Sequence, residues 1–208
     1  MEYRGEVLNG ANTEPVLVPE IPHLEQEALA VFDRYVSNVG CYLEYGAGGS
    51  TVRAAQLGAQ HIVSVDSSRE WVKAVRVSVG DRAQIYLLHC DIGIVGAWGR
   101  PTDQQGLRGY HAYMSLPWSS ARRKTLTPNI VLIDGRFRVA CFLYSLICAQ
   151  PGTIILFDDY VNRERYHLVE EFCRPTSLHG RMALFTVDKG FVLEDIVARI
   201  AEYSIISE

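Results

Sequence analysis

The sequence predicts a single α/β domain of 208 residues in which helices cover both faces of a mostly parallel sheet. Two observations predict this fold class. Short runs of apolar and β-branched residues alternate with helical runs from residue 41 onward. The composition, 48% apolar and 21% charged, is that of a globular protein and excludes a disordered chain. A chain of this length buries enough surface for one full core and leaves little for a second large domain.

Residues 1–22 predict an N-terminal arm, because Pro15, Pro19 and Pro22 keep the backbone extended and exclude a helix across them. The apolar residues between 23 and 39 then recur at helical spacing and predict the first helix. Charged residues interrupt the first 20 positions, so we expect no signal peptide, and no apolar run is long enough for a membrane span. The sequence therefore predicts a cytoplasmic protein without membrane contact.

Strand-like and helix-like segments then alternate as far as residue 174. The predicted strands are 41–45, 61–66, 84–90, 129–134 and 153–158, and the predicted helices are 51–57, 69–79, 137–149 and 163–174. Alternation at this pitch predicts βαβ units, whose strands run parallel and are buried on both faces. The chain ends differently, because segments 181–187 and 191–197, joined by a tight turn at 188–190, predict an antiparallel β-hairpin.

The segment 92–128 breaks this rhythm, with several glycines and prolines and a group of aromatic residues. A connection of this length inside a compact domain is typical of a lid or a substrate-binding loop. The alternative is a surface excursion, which the aromatic residues disfavour because their area is usually buried. The residues expected to contact the substrate are Trp98, Tyr110, Tyr113 and Trp118. His111 lies among them and is a candidate general base, since histidine titrates near neutral pH.

The charge balance and the cysteines limit the partners. Twenty basic residues against 24 acidic ones give a net charge of −4, which argues against a general nucleic-acid binder. The five cysteines form no Cys-x-x-Cys pair and most have apolar neighbours, as expected for buried thiols in a reducing compartment. We therefore expect a small molecule as the partner.

The strongest motif is the sequence LEYGAGGST at residues 43–51, in which a strand ends in an acid, a glycine turn follows and a helix begins. Glycine suits such a turn because the backbone must bend sharply and let a ligand approach without a Cβ atom in the way. Twenty residues after Gly46, the next predicted strand ends in Asp66, where an acid can hold the two hydroxyl groups of a ribose.

Two ligand classes use this arrangement. A nicotinamide dinucleotide places its pyrophosphate at the helix N-terminus and requires a glycine at the sixth position of the motif, where this chain has Thr51. Glu44 would oppose a pyrophosphate but suits the cationic amino-acid end of S-adenosylmethionine. A glycine turn without any ligand is the third alternative.

The pattern Glu-x-Gly-x-Gly, with an acid at the end of the next strand, resembles the class I S-adenosylmethionine-dependent methyltransferases. The resemblance extends from residue 24 to residue 197. It implies a Rossmann-like, doubly wound sheet of seven strands in the order 3-2-1-4-5-7-6, with strand 7 antiparallel and helices on both faces. Short motifs at 91–93, 98–99, 134–138 and 158–160 also resemble a subgroup of methyltransferase-like proteins.

The resemblance also implies a set of cofactor-binding residues. They are Glu44, Gly46, Ala47, Gly48, Ser50, Thr51, Asp66, Ser67, Asp91 and Asp134. The glycine loop would line the methionine part of the cofactor and Asp66 would bind the ribose. Asp91 would face the adenine amino group, with Ser67 beside the ring. Ser50 stands where the commonest family pattern has a third glycine, so that corner departs from the pattern.

Three carboxylates are expected near the transferable methyl group. Asp134 ends the fourth predicted strand, and Asp158 and Asp159 end the fifth. Ligands of open parallel sheets lie beyond these strand ends, so the carboxylates would meet there. Together with His111, they are the candidate catalytic residues.

Carboxylates this close need cations to stay ionised together. One candidate is a divalent ion, because Asp134-Gly135 and Asp158-Asp159 resemble metal-binding positions of catechol-type and caffeoyl-type O-methyltransferases. The other is the group of nearby arginines, Arg136, Arg138, Arg163 and Arg165. No amide stands where those families have their third ligand, so we favour the arginines and predict no metal. Arg136 and Arg138 are also candidates to bind a carboxylate or phosphate of the substrate.

The sequence thus favours an S-adenosylmethionine-dependent methyltransferase that acts on an oxygen or nitrogen of a small molecule. An NAD(P)-linked oxidoreductase is the enzymatic alternative, which Thr51 and Glu44 disfavour. A methyltransferase-like protein that binds the cofactor without catalysis is the other alternative.

Overall fold

The computed structural model describes residues 17–80, 82 and 84–207, so most of the predicted arm, residues 1–16, lies outside the described residues. The strands are β1 (Cys41–Tyr45), β2 (His61–Asp66), β3 (Ile85–His89), β4 (Ile130–Ile133), β5 (Ile154–Phe157), β6 (Ser177–His179) and β7 (Met182–Thr186). They form a sheet in the order β3-β2-β1-β4-β5-β7-β6. The first five strands pair in parallel, whereas β7 is antiparallel to β5 and β6. The predicted strand order is confirmed.

Helices cover both faces of this sheet because its central strands carry apolar side chains on both sides. The α-helices of the described residues are α1 (Gln26–Val36), α2 (Gly49–Gln56), α3 (Arg69–Val79), α4 (Tyr110–Arg123), α5 (Arg138–Cys148) and α6 (Leu193–Tyr203). Leu43 and Tyr45 of β1 pack in one apolar cluster with residues of α4, α5 and α6, while Tyr42 packs in a second cluster with residues of α1, α2 and α3. Tyr42 meets Phe32 of α1 edge to face, with ring centroids 5.7 Å apart.

The second half of the 92–128 segment is the helix α4, and the prediction of a lid across the whole segment was therefore wrong. The buried residues of α4 are Tyr110, Tyr113, Met114, Pro117, Trp118, Ser120 and Ala121. Apart from Ser120, they recur at spacings of three and four, which is the apolar stripe of a helix packed on a sheet. α4 lies against β1, β2 and α5 and forms the crossover between β3 and β4. Only residues 92–109 remain as an irregular insertion.

The C-terminal hairpin lies earlier in the chain than predicted. Its strands are β6 and β7, and the turn between them contains Gly180, whose positive φ of 57° favours glycine. The segment predicted as its second strand, 191–197, instead contributes to α6. Leu193, Ile196, Val197 and Ile200 recur at helical spacing, and Ile196 is buried in the cluster that includes α5.

The predicted helix 163–174 is a 3₁₀-helix at Glu164–Glu171. Its buried residues, Tyr166 and Val169, are three positions apart, which is the repeat of a 3₁₀-helix. None of the described helices is long and apolar enough to cross a lipid bilayer. All five cysteines are free thiols, and four of them are buried.

Candidate active site

A cavity of about 740 Å³ opens beyond the carboxyl ends of β1, β2, β4 and β5. The loops that follow these strands line it, together with residues of the insertion between β3 and α4 and of the segment that precedes α1. In an open parallel sheet this edge is where ligands bind, since the loops there converge where the strand order reverses. The volume is within the range of small-molecule sites.

The glycine loop after β1 combines one crowded position with one open position. Gly46 has a φ of +94°, and a Cβ atom there would lie 2.9 Å from the carbonyl oxygen of Asp134, so the loop requires glycine. A Cβ atom at Gly48 would have the Trp71 ring as its nearest neighbour, at 3.7 Å, which is ordinary contact. The Trp71 indole donates a 2.6 Å hydrogen bond to the carbonyl of Ala47 and holds the loop in place. Gly48 therefore lies at the edge of the cavity with room for a Cβ atom against the Trp71 ring.

Glu44, predicted to bind the cofactor, is fully buried and does not line the cavity. Its carboxylate accepts hydrogen bonds from Tyr42 at 2.8 Å, from Ser50 at 2.6 Å and from Thr51. Burial raises the pKa of Glu44, and the hydroxyl donors lower it in part. The side chain thus ties the end of β1 to the first turn of α2. Ser50 lines the cavity, whereas Thr51 lies behind it with Glu44.

Asp66 ends β2 and lines the cavity. Its carboxylate accepts a 2.9 Å hydrogen bond from the backbone N–H of Ser68. Burial raises the pKa of Asp66 to about 6, although hydrogen bonds from the backbone oppose the shift. A carboxylate so placed can accept hydrogen bonds from two neighbouring hydroxyl groups.

The three predicted catalytic carboxylates come together in the cavity. Oxygen atoms of Asp134, Asp158 and Asp159 lie within 4.8 Å of one another. The pKa of Asp134 is raised to about 7, first by burial and then by the two neighbouring carboxylates, although the charge of Arg138 opposes the shift. The pKa of Asp158 is raised as well, again first by burial.

Arginines bind this acidic group directly. Arg138 contacts Asp134 at 2.9 Å and Asp159 at 3.1 Å. Arg163 contacts Asp159 at 2.6 Å. Arg181 contacts Asp158 at 3.1 Å and Asp159 at 2.9 Å. Arg163 and Arg138 were among the expected cations, but Arg181 was not. Arg181 precedes β7 and reaches the site only because β7 pairs with β5 in the antiparallel direction.

The segment before α1 forms one wall of the cavity, a feature that sequence reasoning missed. Pro19, Pro22 and His23 line the cavity. The carbonyl of Ile21 lies against Gly49, where a Cβ atom would come within 2.7 Å of it. Arg181 donates a hydrogen bond to the carbonyl of His23 and so links this wall to the acidic group.

Known structures share this fold. The chain matches the crystal structure of a methyltransferase-like protein from Silicibacter pomeroyi with 32% sequence identity and a TM-score of 0.79, over 90% of this chain and 99% of that chain. The chain belongs to the class I methyltransferase family. Neither the protein-family models nor the curated proteins produced a match to the sequence.

More distant structures agree with this chain in fold alone. Cofactor-bound Rv0187 from MTB is 17% identical, with a TM-score of 0.53 over 82% of this chain and 83% of that chain. A methyltransferase from Geobacter sulfurreducens is 10% identical, with a TM-score of 0.51 over 79% of this chain and 80% of that chain.

Within this methyltransferase fold, the structure separates the predicted site residues into those that line the cavity and those that do not. The residues that line the cavity are Gly46, Ala47, Gly48, Ser50, Asp66, Ser67, Trp98, Tyr113, Asp134, Arg136, Arg138, Asp158 and Asp159. The residues outside it are Glu44, Thr51, Asp91, Tyr110, His111 and Trp118. Tyr110 and Trp118 pack in the core, where the Trp118 indole donates to Ser145 at 3.1 Å. His111 is exposed on α4.

Proposed function

We propose that the protein is an S-adenosylmethionine-dependent methyltransferase that transfers a methyl group to an oxygen or nitrogen of a small molecule. The observation that carries the proposal is the shared cavity, which joins the glycine loop and Asp66 to the acidic group of Asp134, Asp158 and Asp159. Methyl transfer brings the cofactor and the acceptor together in one cavity. Here the cofactor-binding loop and the titratable side chains line the same cavity. Membership of the class I methyltransferase family supports the same activity.

The residues of the cavity fit the cofactor. Gly46 through Gly48 line the cavity and would accommodate its methionine part, since Gly48 has no side chain to stand in the way of a ligand. Asp66 would accept hydrogen bonds from the ribose hydroxyl groups. When bound, S-adenosylmethionine supplies a methyl group on a positively charged sulfur, which is reactive toward an oxygen or nitrogen nucleophile.

The acidic group would act on the acceptor. A hydroxyl or amine that attacks the methyl group must lose a proton, and Asp134 is the carboxylate whose raised pKa of about 7 suits it to take one. Asp158 and Asp159 are held by Arg138, Arg163 and Arg181 and would keep the acceptor in line. Correct alignment of the two reacting atoms can lower the activation free energy by about 7–11 kcal/mol.

The size and charge of the cavity support a small acceptor. About 740 Å³ is enough for one drug-sized ligand or for a cofactor with a compact partner. Arg136, which lies in the loop after β4, lines the cavity and would pair with a carboxylate or phosphate on the acceptor.

Titration calorimetry with S-adenosylhomocysteine and with NADH tests the proposal. We expect the wild-type protein to bind the first ligand and not the second. Gly48→Val should abolish binding without unfolding the protein, because the side chain would fill the cavity rather than the core. Gly190→Ala is the matched control, since Gly190 is exposed, does not line the cavity and has room for a Cβ atom.

The outcomes separate the alternatives. Tight binding of NADH would indicate an NAD(P)-linked oxidoreductase and would overturn the proposal. Binding of S-adenosylhomocysteine without methyl transfer to any member of a panel of phenols, carboxylates and amines would favour a cofactor-binding relative that lacks catalysis. Native mass spectrometry of the purified protein provides an independent check, because a co-purified S-adenosyl ligand would be detected directly.

A further inference from the structure

Residues 94–102 of the insertion form a small hairpin beside the cavity. Val95 and Pro101 make an antiparallel bridge, and the N–H of Gly96 donates a 2.8 Å hydrogen bond to the carbonyl of Arg100. The N–H of Thr102 donates to the carbonyl of Ile94 at 2.9 Å. These bonds give the tip a defined position.

The tip of the hairpin is attached to the end of β2. Ser67, which is only 4% exposed, donates a 2.8 Å hydrogen bond to the carbonyl of Gly99. Gly99 has a φ of +67°, and a Cβ atom there would overlap the Ser67 hydroxyl and lie 3.7 Å from the carboxylate of Asp66. The hairpin tip therefore lies directly beside the carboxylate that we assign to the ribose.

Trp98 is the residue that the tip presents. Its side chain is 86% exposed and lines the cavity. Its backbone has a φ of +60° and a ψ of 24°, a left-handed conformation that bulky residues seldom adopt. Exposed aromatic area and an uncommon backbone conformation are both unfavourable, so a position that combines them at a cavity points to a ligand contact.

Asp91, which the sequence predicted to recognise the adenine, lies away from the cavity. Asp91 does not line the cavity but lies in a separate depression with Gly93 and Arg108. Its carboxylate accepts a 3.0 Å hydrogen bond from the N–H of Gly93. The hairpin tip, and not Asp91, therefore borders the cavity next to Ser67.

We infer that the hairpin 94–102 forms the nucleoside wall of the cavity and that the adenine ring of the cofactor stacks on the indole of Trp98. This inference rests on the proposed function, because it takes Asp66 as the ribose-binding carboxylate. The base is attached to the ribose, so it must lie close to the hydroxyl groups that Asp66 would bind. Trp98 directly precedes Gly99, whose carbonyl accepts the hydrogen bond from Ser67.

Calorimetric titration of S-adenosylhomocysteine into Trp98 variants tests the stacking. Trp98→Ala should weaken binding by about 5- to 150-fold, the range expected for the loss of one base–aromatic stack. Trp98→Phe keeps a ring and should remain within about threefold of the wild type. Ile94→Ala is the matched control, because Ile94 is an exposed apolar residue of the same hairpin that does not line the cavity, and it should bind as the wild type does.

S-ribosylhomocysteine, which lacks the adenine, identifies the group that Trp98 contacts. If the base stacks on Trp98, Trp98→Ala should bind this compound as well as the wild type does. An equal loss for both ligands would overturn the inference, because the indole would then contact the ribose or the amino-acid part.

Tryptophan fluorescence adds a readout that does not depend on activity. Saturation with S-adenosylhomocysteine should quench the emission of the exposed Trp98, and the difference between wild type and Trp98→Phe isolates this signal from Trp71 and Trp118. Ser67→Ala should reduce the quench, because it releases the tip. Binding by calorimetry without any Trp98-dependent quench overturns the inference and leaves the proposed function intact, whereas the absence of binding overturns the proposed function itself.

Discussion

The carboxylate of Glu44 accepts a 2.6 Å hydrogen bond from the hydroxyl group of Ser50, so the acid at the end of β1 is bound to the first turn of α2. The contact is fully buried, and Tyr42 and Thr51 donate to the same carboxylate. A position that looks like a ligand-binding acid in the sequence thus has a structural role instead, which is to fix the turn that carries Gly46 and Gly48.

Glu44→Ala should lower the free energy of unfolding by about 1–3 kcal/mol, because it leaves buried hydroxyl groups without their acceptor. Glu44→Gln keeps one carbonyl oxygen and should cost less. Denaturant unfolding measures both effects. If Glu44→Ala were as stable as the wild type but no longer bound S-adenosylhomocysteine, Glu44 would contact the ligand directly and the structural role would be wrong.

Affinity for S-adenosylhomocysteine should depend on pH through Asp66. Burial raises the pKa of Asp66 to about 6, and the ionised carboxylate is the form that accepts two hydrogen bonds. Affinity should therefore level off about one pH unit above this pKa and fall by up to about tenfold per pH unit below it. Calorimetry between pH 5 and pH 8 measures this slope. Asp66→Asn should bind more weakly and lose the slope, and a slope that persisted in this variant would assign the titration to another group.

Arg181→Ala should destabilise the fold by about 3–5 kcal/mol, because it removes the partner of the buried carboxylate of Asp158. Arg199→Ala is the control, since solvent screens the exposed pairs of Arg199 with Glu171 and Glu202 and their loss should have little effect on stability. Denaturant unfolding of both variants gives the comparison. Equal effects would indicate that Asp158 is neutral when Arg181 is absent and needs no cation.

Arginines balance the charge of the acidic group, so we expect that methyl transfer does not need a divalent ion. Arg138, Arg163 and Arg181 already contact the carboxylates that a metal would require. EDTA should leave turnover and the melting temperature unchanged, and added Mg²⁺ should not raise either. Turnover that is lost in EDTA and returns with Mg²⁺ would contradict this prediction, because the three carboxylates would then release arginine contacts to bind the ion.

Local sequence patterns were enough to predict the parallel strands of the sheet. The runs 41–45, 61–66, 129–134 and 153–158 are short, apolar and bounded by turn residues, and they became β1, β2, β4 and β5. Each such strand is buried on both faces, so its residues identify it without knowledge of its neighbours. The acids at these strand ends converge for the same reason, because parallel strands bring their carboxyl ends to one edge.

Elements whose pattern depends on a distant partner were harder to predict. The stripe from Tyr110 to Ala121 is helical in spacing, but glycines and prolines around it obscured the pattern, and only packing on β1, β2 and α5 distinguishes a crossover helix from a lid. The hairpin was displaced because 191–197 has an apolar pattern that fits a strand or a helix, and the contact of Ile196 with the core favours the helix.

The family resemblance of the sequence predicted the strand order, and local motifs predicted the glycine turn and the acids around the site. Tertiary structure decided how those residues are used, because each decisive contact joins segments far apart in the chain. Arg181 reaches Asp158 through the pairing of β7 with β5. Trp98 reaches the cavity because Gly99 is bound to Ser67, 32 residues earlier. Such contacts leave no periodic signal in the sequence, since their energy comes from the geometry of the assembled sheet edge.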